Sequence, residues 1–305
     1  MKKERFYVSE HFMRPSQGHK NYAFVDVNLR RDNELFIDPA LVETNTDEWS
    51  KDANRCLQSF MDKLNEAFRS DDQGLKQYLF SQAREQNAIK LGYGRKPNNG
   101  RGNTDSGLAY KFNGLSKWAK EIGPLSAVDV AILVKDFAED GMSDWLAHIL
   151  AKPLAEFTQE QCKLYGQDEF SERTLVYWSP DTCRWESAKF TLPTYNAHLL
   201  LLVPKQIVRK HLITSPAHFL RHAILKREKE NTRYVDKKGK VKYRKSKKDL
   251  VAQIPKDANG GNTRYINNYI EQHPDIFGQY HDDLPGLCVG KRMTDSELDE
   301  ELYQS

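Results

Sequence analysis

The sequence predicts an α+β fold, with a helix-rich first half and a small, mostly antiparallel sheet in the second. Three observations predict it. Apolar residues recur at helical spacing over 50–69 and again over 143–166. Runs rich in β-branched and aromatic residues flank short turns in the second half, as "TLVYW", "SPDT" and "CRWESAKFTL", and again as "RYV" and "VKY". A chain of 305 residues, 39% of them hydrophobic, has enough apolar material for one large domain or two ordinary ones.

Taken in order, "YAFVDVNL" (22–29) alternates apolar and polar residues and reads as a half-buried strand. "LFIDPALVE" (35–43) reads as a strand ending at Asp38 and Pro39. Over 50–69, Leu57, Phe60, Met61, Leu64 and Phe68 form one apolar helical face. A second helix is expected over 75–89, ending before Gly92, and a third within 107–123, closed by Gly123. "VDVAILVKDF" (128–137) fits a strand or a short helix, and its β-branched residues favour the strand. Residues 143–166 carry helix signals throughout, with Ser143 as N-cap, Gly166 at the close and Pro153 as a kink.

After 166 the character changes. A hairpin is followed by "HLLLLV" (198–203) as a third strand, stopped at Pro204. Helical pieces are expected around 206–228 and 262–273. The tail from 290 is acidic and polar, with a loose end expected. The chain thus divides into a mainly helical region (1–166), a sheet region with a basic hairpin (167–289) and an acidic tail (290–305).

No apolar run approaches the roughly 18 residues of a membrane helix. The N-terminal "MKKERFYVSEHF" is basic but lacks the apolar stretch of a signal peptide. Cys56, Cys162, Cys183 and Cys288 are far apart in sequence, which argues against a zinc ribbon and a disulfide scaffold. These features fit a cytoplasmic protein.

The net charge of +3 conceals an asymmetry. Lys226–Lys248 holds 12 Lys or Arg against 3 Asp or Glu, an excess of nine that leaves a net −6 on the remainder. A basic block on an acidic body is the footprint of a polyanion site, although charge runs are often only solvated loops. Its strand-like flanks predict a hairpin carrying Lys237, Lys238, Lys240, Lys242 and Arg244, with Tyr234 and Tyr243 available to stack on bases. A second phosphate contact is expected at "KLGYGRKPNNGRG" (90–102). Its glycines let backbone N–H groups approach an anion, and Arg95, Lys96 and Arg101 supply charge. It matches neither a Walker A motif nor a dinucleotide fingerprint.

For chemistry, "DGMSD" offers Asp140 and Asp144. Four apart on a helix, they share a face and could converge on Mg²⁺, with Glu85 completing the cluster. Such a metal would activate water for phosphodiester cleavage, whereas the competing role is helix capping. "SPDTCRWESAK" superficially resembles the PD-(D/E)xK nuclease motif through Asp181, Glu186 and Lys189. An offset of three places Glu186 and Lys189 on opposite faces of a regular strand, and only a bulge would repair that. His218 and His222 have metal spacing on a helix but no third ligand nearby in sequence.

The blocks "LFIDPALV", "LGYGRKPNNGRG", "DGMSDWLAHILAKPLAEFTQEQC" and "LLLVPK" together resemble a poorly characterised family of prokaryotic proteins associated with phage-defence loci. The resemblance implies a bacterial cytoplasmic protein that acts on or senses nucleic acid, and it carries over no catalytic residues. Two expectations follow. One is a metal-dependent nuclease of a defence system. The other is a non-catalytic nucleic-acid-binding or adaptor subunit working with a protein partner encoded nearby. DNA stands ahead of RNA as the ligand in both.

Overall fold

A computed structural model describes residues 5–12, 18–82, 87–93, 111–134, 137, 139–166, 170–257 and 261–304. The chain opens on a short helix, α1 (Val8–His11), and reaches β1 (Phe36–Ile37) through a buried, irregular segment. The strand expected at 22–29 does not form a ladder. Phe24 bridges Pro204, Asn28 bridges Tyr7, and residues 24–29 are all buried. Alternation predicted a wet face. That face is sealed instead, because the Asp26 carboxylate accepts hydrogen bonds from the Ser9 N–H, the Ser9 hydroxyl and the Tyr303 hydroxyl.

β1 stops before Asp38, and helix α2 (Pro39–Thr44) follows where a strand end was expected. Asp38 is its N-cap, accepting the Ala40 N–H at 2.9 Å, and Pro39 occupies the first turn, where no N–H is needed. The central helix α3 (Glu48–Ser70) starts at the Asp47 cap and buries the expected face: Leu57, Phe60, Met61, Leu64 and Phe68 are at most 1% exposed. Each such side chain stabilises the fold by about 1.5–3 kcal/mol through burial. Helices α4 (Gln73–Phe80) and α5 (Leu115–Glu121) follow.

Residues 127–133 form helix α6 (Ala127–Leu133), not the favoured strand. The Asp129 carboxylate accepts the Ser126 N–H at 2.8 Å, and Ala127, Val128, Val130 and Ile132 are buried. Capping and packing outweigh the β-branched preference here. Next come α7 (Glu139–Ile149) and α8 (Ala151–Tyr165), separated at Leu150. Pro153 therefore does not kink a long helix; it lies in the first turn of the second one. Because α7 starts at Glu139, Asp140 and Asp144 lie within one helix, one turn apart.

Strands β2 (Phe170–Ser179) and β3 (Arg184–Tyr195) pair in unbroken antiparallel register from Phe170↔Pro193 to Ser179↔Arg184. Trp178, fully buried, packs edge-on against Phe60 at 4.9 Å and donates to the Ser59 hydroxyl, fastening the hairpin to α3. Of "HLLLLV", only β4 (His198–Leu199) joins the sheet; Leu200–Val203 run on as buried extended chain, with Leu201 N–H donating to the Ala88 carbonyl. β5 (Val208–Arg209) pairs with β1.

The remainder wraps this core. α9 (Pro216–Phe219) continues through a wide π-type turn, Leu220–Ile224, into α10 (Leu225–Asn231). The basic hairpin, β6 (Arg233–Val235) and β7 (Val241–Tyr243), forms as expected, followed by α11 (Lys247–Ala252), α12 (Thr263–Gln272), α13 (Ile276–Cys288) and α14 (Asp295–Asp299). The tail is not loose. Leu298 and Leu302 enter the core, and Asp299 accepts from buried His19 at 2.6 Å. His19 Nε2 accepts the Asp26 N–H, which leaves Nδ1 as the protonated nitrogen that donates to Asp299. One hydrophobic cluster extends from Val8 to Leu302. Among the described residues, no helix is long and apolar enough to cross a membrane.

Candidate functional site

The basic segment runs as helix, hairpin and helix: α10 is tied to the body through Lys226–Asp283, Arg227–Asp275 and Glu228–Tyr269, and the strands of the hairpin are exposed. Asp236 builds the hairpin turn: its Oδ1 accepts the N–H groups of Lys238 and Lys240, and Gly239 supplies the left-handed residue at φ +74°. Those hydrogen bonds, the one with Lys240 first, hold the Asp236 carboxyl below its ordinary value. Lys242 pairs with the same carboxylate at 3.1 Å, so the segment spends an acid of its own on its turn.

The register sorts the two faces. Tyr234 lies opposite Lys242, while Arg233, Val235, Val241 and Tyr243 share the other face. Tyr243 donates to Glu230 at 3.0 Å and lies under the Lys229 ammonium at 4.2 Å, so it fastens the hairpin to α10. Tyr234 is 39% exposed, with the Arg244 guanidinium 5.8 Å from its ring centre. Tyr243 is almost as exposed, at 37%, so partners rather than exposure set the two apart: Tyr234 stands beside Lys242 and Arg244, and Tyr243 is bonded to Glu230.

At the root of the segment, Arg221, Lys247 and Lys248 rim a groove of about 390 Å³ floored by Leu220, Leu225 and Val251. Lys247 donates to the Arg221 carbonyl at 2.7 Å. Burial, then the charges of Arg221, Lys229 and Lys226, push its ammonium below the ordinary lysine value. His222 is pushed down in the same way, by burial and then by Lys247 and Arg221. His218 falls to about 4, by burial first and then by its neighbour, whose ring stacks on it at 4.2 Å. His218 Nδ1 meets the Tyr280 hydroxyl at 2.8 Å. This pair is a packed, cation-crowded contact. Among the described residues, no group of three His, Cys, Asp or Glu side chains has metal-holding geometry.

Asp140 and Asp144 occupy one face of α7. Asp140 Oδ1 accepts the Tyr93 N–H at 3.2 Å, at the start of the glycine-rich stretch. Gly92, at φ +124°, permits this approach; a Cβ there would lie 2.2 Å from that oxygen. The neighbouring Glu139 accepts from the Tyr93 hydroxyl and the Leu212 N–H. Glu85, Arg95, Lys96 and Arg101 lie outside the described residues. In the sheet, Glu186 faces Tyr177 and accepts from Tyr177 and Thr182, while Lys189 faces Thr174 and pairs with Glu172. No bulge intervenes in that ladder, and Asp181 pairs with Arg55 from the turn. These three residues form no common site.

The sequence reading missed the buried charges of the body. Asp38, besides capping α2, accepts the Ile213 N–H at 2.7 Å; burial pushes its carboxyl up to about 6 against those hydrogen bonds. Farther along α2, Glu43 faces Asp129 of α6 and His281 of α13. Asp129, 1% exposed, accepts from His281 Nε2 at 2.7 Å. Burial first, then the Asp129 charge, raises the Glu43 carboxyl to about 7. Burial alone would lower His281, but the Asp129 hydrogen bond and charge outweigh it and raise its value. Glu43 and His281 border a pocket of about 310 Å³ between α2, α3 and α13, and Asp129 lies behind His281 outside its lining. The local signal was Asp129 itself, one acid inside the apolar run "AVDVAILV". Nothing in the sequence joined it to positions 43 and 281.

Residues 15–215 match the family model described as a domain of unknown function, DUF8370, and the chain belongs to that family. The match takes in Asp38, Glu43, Asp129, Asp140 and Asp144; the basic segment and His281 lie beyond it. No curated protein and no solved structure matches the chain.

Proposed function

We propose that this DUF8370 member binds nucleic acid through the segment from Arg221 to Lys248, as a component of a prokaryotic defence system in the cytoplasm. The observation that carries the reading is the Tyr234 face of the hairpin: an exposed ring flanked by Lys242 and Arg244, on the segment that concentrates the chain's positive charge. A base can stack on the ring while the cations meet the flanking phosphates. The crowd around Lys247 points the same way, since an anion there relieves repulsion among Arg221, Lys226 and Lys229. DNA stands ahead of RNA as the ligand, and a protein partner encoded nearby would supply any activity this chain lacks.

A second reading, a metal-dependent nuclease using Mg²⁺ at Asp140 and Asp144, draws on one observation. Those carboxylates share a helix face, and Asp140 touches the backbone where the glycine-rich stretch begins. Fluorescence anisotropy with labelled single- and double-stranded DNA and RNA, titrated against salt, tests the binding reading. Micromolar or tighter binding with a steep salt slope is expected, and salt-independent or absent binding overturns it. Incubating the same ligands with Mg²⁺, Mn²⁺ or chelator tests cleavage.

A further inference from the structure

The groove at the root of the basic segment has a floor for which nucleic acid has no use. It lies between two helical walls. Ala217, Leu220 and Leu225 come from the run that leads α9 into α10, and Val251 comes from α11. Leu220 and Leu225 are buried, whereas Ala217 and Val251 are exposed, Val251 at 39%. Among the described residues, no aromatic ring lines the groove, so a base gains no stacking there. Aliphatic side chains on both walls favour an apolar occupant.

The rim is cationic and lacks a counter-charge. Arg221 stands on one wall and Lys247 and Lys248 on the other, and among the described residues no carboxylate lines the groove. Farther along the first wall, Lys226 and Arg227 pair with Asp283 and Asp275. Among the described residues, none of the three rim cations forms such a pair. Asp249, next to Lys248 in sequence, is taken up by the start of α11, where it accepts the Ser246 N–H and hydroxyl. Lys247 donates to the Arg221 carbonyl, which fixes one wall against the other, so the groove exists before anything binds.

Its length suits a helix. From Ala217 to Leu225 the first wall runs about 12 Å at helical rise, or about two turns. A helix laid between two others presses side chains at i, i+4 and i+7 into such a groove. With cations on both walls, acids on both flanks of that helix complete the match. A fatty acid would bring one carboxylate to three cations.

We propose that this groove docks an acidic amphipathic helix of a protein partner, with aliphatic side chains against Leu220, Leu225 and Val251 and flanking carboxylates on Arg221, Lys247 and Lys248. Such docking goes beyond nucleic-acid binding and does not rest on it. The hairpin keeps Tyr234, Lys242 and Arg244 for a nucleic acid, and only the root of the segment turns to the partner.

The experiment is fluorescence anisotropy of the full chain at about 0.15 M salt. The main probe is a labelled, capped peptide of Glu, Ala and Leu, about four helical turns long, with its leucines on one face. The others are the same residues reordered so that the leucines circle the helix, a labelled oligothymidylate, and dodecanoate as competitor. The amphipathic peptide should bind saturably in the micromolar range, and the reordered one about tenfold more weakly or worse. Val251→Gln and Ala217→Gln change exposed positions and leave the core alone. Each should cut peptide affinity by about tenfold, as the loss of one apolar contact does, and should change oligothymidylate binding by less than about twofold. No saturable binding of the amphipathic peptide overturns the proposal. So does equal binding of the reordered peptide, which shows a polyanion site whose floor takes no part. Unchanged affinity in both variants places the peptide elsewhere, and tighter binding of dodecanoate than of the peptide shows a fatty-acid site; either result also overturns it. Oligothymidylate binding without peptide binding defeats this proposal alone, and the converse defeats only the nucleic-acid reading.

Discussion

The basic segment and the Glu43 pocket handle charge in opposite ways. In the segment, a large excess of like charge stands in water, and its turn, Asp236 to Lys240, is held by its own hydrogen bonds. Beside the pocket, Glu43, Asp129 and His281 meet among buried side chains, where burial moves Glu43 to about 7 and Asp129 accepts from His281. The difference is solvent. Water and salt screen the segment's repulsion over about 10 Å at 0.1 M salt, whereas Asp129, 1% exposed, is largely cut off from that screen. Charge in the first region is available to a partner at little cost to folding. Charge in the second is coupled to stability.

Substitution should separate the two. Asp129→Ala removes the acceptor of His281 and of the Ser126 N–H, and should destabilise the chain by about 2–4 kcal/mol in urea unfolding, with nucleic-acid binding per folded molecule unchanged. The reverse pattern is expected for Lys237, Lys238, Lys240 and Lys242 changed together to Glu. Affinity for DNA at low salt should fall on the order of 100-fold and the salt slope should flatten, while the urea midpoint stays put. A large stability loss from the lysine set would show that the hairpin is part of the core after all.

pH sharpens the contrast further. Glu43 has a folded value of about 7 against an ordinary 4.5, so the folded state holds an extra proton between those values. Stability contributed by that proton is present below about 4.5 and is lost as pH rises toward 7. His281, raised above 6.5, adds stability that is present below 6.5 and lost as pH rises through its folded value. Glu43 and His281 therefore pull the unfolding free energy down from pH 5 toward 8, against the opposite pull of His218 and His222, and Glu43→Gln should lose its part of that pull when its pH profile is compared with the parent chain's. A profile of unchanged slope in the variant would assign the pull to other groups.

The same division governs what the sequence made legible. The α3 face, the β2–β3 hairpin and the basic hairpin were readable because each is local: a period of 3.6 or 2, a turn, a charge run. The segment 22–29, α6 and the acidic tail were not. Their states depend on distant partners, such as Tyr303 on Asp26 and the packing around Val128 and Val130. The candidate sites follow suit. Lys237 to Arg244 are neighbours in the chain, whereas Glu43, Asp129 and His281 meet only through three helices. Asp140 and Asp144 fall between, since one helix aligns them but the partner of Asp140 at Tyr93 is remote in sequence.

Within the hairpin the contrast can be drawn again at single residues. Tyr234→Ala removes the exposed ring and should weaken single-stranded DNA binding by about 1–2 kcal/mol with no change in melting temperature. Tyr243→Ala removes the anchor to Glu230 and Lys229, and should lower protection of the hairpin amides in hydrogen exchange more than it lowers affinity. Equal losses of affinity would mean that both rings touch the ligand and that the register does not sort them.

The smallest expected effect on folding comes from Asp140→Asn with Asp144→Asn. The amide oxygen can still accept the Tyr93 N–H, so Gly92 and Tyr93 should keep their place and the unfolding free energy in urea should change by less than about 0.5 kcal/mol. Gly92→Ala is the control that must disturb it, because the added Cβ meets Asp140 Oδ1 in a backbone conformation that side chains avoid. Against that quiet background the chemistry stands out. A neutral amide is a poor ligand for Mg²⁺, so a nuclease built on these carboxylates loses cleavage and keeps binding. Cleavage at the wild-type rate in the double variant would take Asp140 and Asp144 out of the reaction and leave Asp140 as the acceptor of the Tyr93 N–H.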